Sequence, residues 1–86
     1  MHAHVVNVDI TDADAARKGL DELVPTVKAA PGFVAGYWIQ LDDTHGTSVA
    51  VFETEEQARA VAPPVGGGMG GVTITNVQIG EVLGSA

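Results

Sequence analysis

The chain has no cysteine. That excludes disulfides, iron–sulfur clusters, thiolate zinc sites and cysteine nucleophiles. Bases are scarce: four Lys and Arg stand against eleven Asp and Glu, for a formal net charge of −7. Nucleic acids and anionic membrane surfaces both call for clustered Lys and Arg, so neither is an expected partner. No apolar run approaches the roughly 20 residues of a membrane span. The opening Met1-His2-Ala3-His4 lacks the basic segment and long apolar stretch of a secretory signal, and the expected location is the cytoplasm. Aromatic residues are confined to Phe33, Tyr37, Trp38 and Phe52. What the chain does have is 45% apolar residues in 86, enough for one small folded domain spanning residues 1–86.

Period-two alternation of Val6, Val8 and Ile10 with Val5, Asn7 and Asp9 predicts a strand over 3–10. Thr11-Asp12-Ala13-Asp14 matches a capping box, with Thr11 as the cap. Ala16, Leu20, Leu23, Val24 and Val27 then form one apolar stripe of a helix. Pro25 lies inside that pattern and predicts a kink, or an end to the regular helix near Val24. Pro31-Gly32 stops the helix in any case. A second strand covers 33–41, with Phe33, Ala35, Tyr37, Ile39 and Leu41 on one face and Val34, Gly36, Trp38 and Gln40 on the other. The polar turn 42–46 makes a hairpin with a third strand over 48–52. Thr54-Glu55-Glu56-Gln57 caps a short helix that ends at Pro63-Pro64. A glycine-rich loop over 65–71 leads to a last strand over 72–83, where Thr73, Thr75, Val77 and Ile79 alternate with Ile74, Asn76 and Gln78.

The order β-α-β-β-α-β predicts an α+β, ferredoxin-like domain with an antiparallel sheet and both helices on one face. The strands carry apolar residues on both faces. An uncovered apolar sheet face is an association surface, and a small core gains from more burial, so the expected partner is a second copy of the chain, sheet against sheet.

The segment Pro31-Gly32-Phe33-Val34-Ala35-Gly36-Tyr37-Trp38, with Phe52-x-x-x-Glu56-x-Ala58, resembles the dimeric α/β-barrel superfamily, in its antibiotic-biosynthesis-monooxygenase-like branch. The resemblance implies a homodimeric α/β barrel. For function it implies a cofactor-independent monooxygenase-like protein acting on a small aromatic or polyketide-like molecule, with no cofactor and no metal. The alternative is a non-catalytic small-ligand-binding or interaction dimer. Haem-degrading members are similar in carrying an Asn on the first strand, which Asn7 matches, but the second helix here has neither their Trp nor a following His.

An oxygenase without metal or flavin depends on an electron-rich substrate, a dry pocket and donors to a developing oxyanion. Asn7, Tyr37 and Trp38 are the candidate catalytic residues of that kind. The same residue types also fill cores and dimer interfaces. Tyr37 and Trp38 are adjacent on a strand and point to opposite faces, so only one of them lines a given side. The expected pocket lies between the helices and the sheet, with Asn7 reaching it. His2 and His4 share a strand face at metal-ligand spacing, but no third ligand is evident and the N-terminus frays. His45 beside Asp42 and Asp43 reads as a solvated turn histidine. The loop Gly66–Gly71 lacks the Lys and Ser/Thr of a phosphate-binding loop and reads as a mobile connector or a lid.

Overall fold

The computed structural model describes residues 1–68 and 70–86; Met69, inside the glycine-rich loop, lies outside the described residues. The elements are β1 (His2–Ile10), α1 (Ala13–Lys28), β2 (Phe33–Gln40), β3 (His45–Phe52), α2 (Glu55–Ala60) and β4 (Val72–Glu81). The strands form one antiparallel sheet in the order β2-β3-β1-β4. This α+β arrangement is compatible with a ferredoxin-like fold. Among the described residues no helix is long and apolar enough to cross a membrane.

Directly paired residues of an antiparallel sheet point the same way, so the register sorts the two faces. His4 pairs with Ala50 and Ile79, and Val6 with Ser48 and Val77. These residues face the helices, because Ala58 of α2 and Val27 of α1 pack with Ala50 and Phe52. Among the described residues Phe52 is the one large side chain that is fully buried, and Phe33 meets it edge-on with ring centroids 5.8 Å apart.

Two bulges change the face assignments that strict alternation predicts. In β2 the register shifts between Phe33 and Ala35. Phe33 therefore joins Gly36, Trp38 and Gln40 on the helix side rather than Ala35, Tyr37 and Ile39 on the other. In β4 the register shifts opposite Asn7 and Val8. Ile74 consequently shares the helix side with Val77 and Ile79, which unbroken alternation sets on opposite faces.

The first helix is capped one residue later than the capping-box pattern predicts. Thr11 and Asp12 both donate their backbone N–H to Gly71 O, at 2.8 and 3.3 Å. Asp12, in extended conformation, is the N-cap, and its Oδ1 accepts from Ala15 N at 3.1 Å. The helix also does not end near Val24. It runs through Pro25 to Lys28, with the Thr26 hydroxyl donating to Glu22 O at 3.1 Å and Ala29 N to Pro25 O at 3.1 Å. The second capping box forms as expected: Gln57 N donates to Thr54 Oγ1, and Thr54 N to Gln57 Oε1.

Gly32 joins α1 to β2 and touches that cap. Its φ is +78°, and its carbonyl accepts from Glu53 N at 2.9 Å. A Cβ here would run into the Gln57 side-chain amide. Gly32→Ala is expected to cost about 1–3 kcal/mol of unfolding free energy. Gln57→Ala in the same chain should relieve the collision but not the backbone strain. Urea unfolding of the single and double variants checks this; an alanine tolerated without loss would contradict it.

Candidate functional site

Before Phe52, the helix-facing row of β3 is made of small residues, Gly46, Ser48 and Ala50. Above them α1 presents Ala13 and Ala16 at its N-terminal end. Backbone hydrogen bonds tie the chain at both ends of the helix. Gly71 O binds the chain entering it, and Ala30 O accepts from Phe33 N at 3.2 Å as the chain leaves. Small side chains on two surfaces kept apart leave a void. A cavity of about 670 Å³ fills the space between α1 and the sheet.

Its floor carries Val6, Val8 and Ile10 of β1 with Ile74 of β4, and its roof Leu20, Leu23 and Val27 of α1. Pro63, Pro64, Gly67 and Gly68 line one end. Leu23 remains 37% exposed although it lies on the apolar stripe of the helix. Few polar groups reach this space: His4, Trp38, Gln40, Ser48 and the exposed Arg17 are among the lining residues. Among the described residues no Asp or Glu lines the cavity, and Arg17 is the only Lys or Arg that does.

Of the three residues expected at a catalytic pocket, the structure brings one to the cavity. Trp38 lines it, with its ring lying along β2: a Cβ on Gly36 would come within 2.9 Å of Trp38 Cη2. Asn7 pairs with Thr47 and Asn76 on the opposite, helix-free face and does not line the cavity. Tyr37 pairs with Val49 on that same outer face and is 63% exposed. The opposite orientation of Tyr37 and Trp38 is as the strand geometry predicts; the expected reach of Asn7 into the cavity is not.

His4 is the residue that sequence reasoning passed over as part of a fraying terminus. It is only 5% exposed, because β1 is a central strand and His4 sits between Ala50 and Ile79. The ring lies 5.6 Å from that of Phe52 and borders the cavity. Neither Nδ1 nor Nε2 has a hydrogen-bond partner. An unpaired buried polar atom costs about 1–3 kcal/mol. Burial holds the His4 imidazole below the usual histidine range. A neutral ring presents one donor and one acceptor. The helix-facing position of His4, in step with Val6 and Val8, was the available signal.

His2 Nδ1 is also buried without a partner. Among the described residues no cluster of three metal-ligating side chains forms, at His2 and His4 or elsewhere. His45 is exposed as expected, but it opens β3, paired with Asp9, rather than lying in the turn. Its Nδ1 lies 2.9 Å from Asp42 Oδ1, and its Nε2 lies 3.8 Å from Asp9 Oδ1. The Thr44 N–H, at 2.8 Å, and then His45 hold the Asp42 carboxyl below the usual carboxylate range. These contacts close the turn and lie away from the cavity.

No protein-family model, curated protein or solved structure matches this chain.

The state of His4 has a consequence for stability. Its folded-state ionisation lies below the ordinary value of 6.5, so between the two the unfolded chain binds the proton more readily. The His4 contribution is present above 6.5, declines as pH falls towards the folded value, and falls no further below it. The urea midpoint of the wild type should drop between pH 7.5 and 5. His4→Phe should show a shallower drop over that range, because His2 and His45 are common to both proteins. Equal slopes would mean that His4 is not held neutral by the fold.

Proposed function

We propose that the chain binds a small, mostly apolar aromatic or polyketide-like molecule in the cavity between α1 and the sheet, and does so as a homodimer. The cavity itself carries the reading. Its volume of about 670 Å³ falls within the range of roughly 300–1,000 Å³ typical of small-molecule sites. Its apolar walls and few polar groups suit a ring system better than a charged metabolite.

Oxygenation is the second reading, favoured by Trp38 on the wall of an apolar pocket and by the resemblance to the monooxygenase-like branch of the dimeric α/β barrels. A carbon bearing two hydrogens, as in an anthrone, would react with O2 to give a carbonyl and water. The electrons come from the substrate's own ring. The protein's part is to exclude water and to offer the Trp38 N–H to a developing oxyanion. On this reading Asn7 and Tyr37 belong to the sheet-to-sheet contact rather than to the pocket.

The homodimer rests on the outer sheet face. Val34, Tyr37, Ile39 and Leu41 are exposed there or beside it, and no element of the chain covers them. Val49 and Val51 of β3 continue the patch. A barrel-like pairing would cover this apolar surface and bury about 1,200 Å² or more in total.

Trp38 is the only tryptophan, so its emission reports on the cavity directly. Titration with the neutral probe 9-anthracenemethanol should quench it saturably, and Ala13→Phe, which fills part of the cavity, should weaken the binding. Linear quenching equal to that of free tryptophan would remove the ligand-binding reading. Oxygen uptake with hydroquinones and anthrone-like phenols, without added metal or flavin, decides between the two readings. Trp38→Phe should lower any uptake by up to about a hundredfold if its N–H meets the oxyanion. No uptake by the wild type leaves the binding dimer.

Sedimentation at micromolar concentration should give twice the 8.8 kDa chain mass. Tyr37→Glu with Ile39→Asp should give the single-chain mass. A monomeric wild type would defeat the dimer.

A further inference from the structure

We propose that the cavity's ligand carries a hydroxyl group on an otherwise apolar ring system, and that His4 is the side chain that receives it. The inference rests on the ligand-binding reading and adds the chemistry of the ligand to it. A leucine or phenylalanine at position 4 would pack against Phe52 and Ala50 with no polar atom to satisfy. Instead the chain places an imidazole on a central strand, 5% exposed, with both nitrogens unpaired. Among the described residues no other side chain answers them, and the cavity is an open space that His4 borders. The nitrogens themselves are sealed from solvent in this conformation. A half-turn about the ring's soft outer torsion exchanges Nδ1 with Cδ2 and Nε2 with Cε1, and receiving the hydroxyl requires that turn to present a nitrogen to the cavity. A neutral imidazole then accepts from a hydroxyl or donates to it, according to its tautomer.

The rest of the lining narrows the class. No Asp or Glu among the described residues is present to hold a cation, which disfavours an amine. The cavity shares with His4 the apolar residues Val6, Ala50, Leu23 and Val27, which leave the hydroxyl as the polar point of an apolar body. A phenol of two or three fused rings has that form.

The test compares 2-naphthol with 2-methylnaphthalene, two probes of nearly the same shape that differ in the hydroxyl. Their affinities are measured by equilibrium dialysis against the full chain and against His4→Leu, with circular dichroism to confirm that the variant is folded. The expected result is that His4→Leu lowers the preference for 2-naphthol over 2-methylnaphthalene by about fivefold or more, with binding of the hydrocarbon kept or improved. If both probes bind the wild type and their ratio is the same in His4→Leu, the cavity binds ligands but His4 is not the receptor, and the proposal is overturned. If neither probe binds the wild type, the ligand-binding reading fails and takes the proposal with it. Should His4→Leu not fold, the imidazole nitrogen resonances of His4 in the ¹⁵N-labelled wild type take its place. They should shift with 2-naphthol and stay unmoved with 2-methylnaphthalene; no shift with 2-naphthol also overturns the proposal.

Discussion

The packing of Phe52 is the contact on which the rest of the molecule depends. It draws together the end of β3, the start of β2 through Phe33, the short helix α2 through Ala58, and the last turns of α1 through Val27. Around it the chain has a conventional core. Away from it, the sheet carries valines on β1 and small residues on β3, and the first half of α1 answers with alanines. A chain of this size has little apolar volume to distribute. Concentrating it at one end leaves the other end hollow, so the cavity and the core follow from the same allocation of side-chain size.

The second organising feature is that both sheet faces carry apolar residues, the outer one chiefly on β2 and β3, but for different reasons. The helix-facing side is apolar because it must bury Phe52 and its neighbours. On the outer side Val34, Tyr37, Ile39 and Leu41 are exposed, and among the described residues no helix lies over them; this is the surface on which the proposed dimer rests. The bulges keep these two demands compatible. Without the shift near Val34, Phe33 and Trp38 would lie on opposite faces, and one of the two would be taken from the core or from the cavity wall.

The order of elements was legible because each has a strong local signal: valine alternation in β1, a continuous stripe in α1, and the Thr54–Gln57 cap of α2. The errors share a cause. Whether Thr11 or Asp12 caps α1 is decided by Gly71, sixty residues away in sequence, and whether Phe33 faces the helices is decided by a pairing shift against β3. Such long-range contacts leave no trace in a local window. The same holds for the candidate site. Asn7, Tyr37 and Trp38 stood out by residue type, yet only Trp38 falls on the cavity. His4 was discounted for its nearness to the terminus, although pairing on both sides makes β1 an interior strand. The small-residue row Gly46, Ser48 and Ala50 was visible in the sequence, but only the helix held above it turns that row into a void.

The freedom of the cavity lining from carboxylates bears on how quickly different molecules reach it. The protein as a whole carries a net charge of −7, while the interior of the site holds none of its acids. The approach and the destination therefore differ in electrical character. On the proposed binding, a neutral phenol would diffuse up to the mouth unopposed, and its association rate would be indifferent to ionic strength. A carboxylate of the same ring system must cross the repulsive field of the surface before Arg17 at the mouth can attract it, and added salt, by screening that field, speeds its entry. Under the proposed binding, discrimination between the two would then operate during encounter, before any contact inside the site is made.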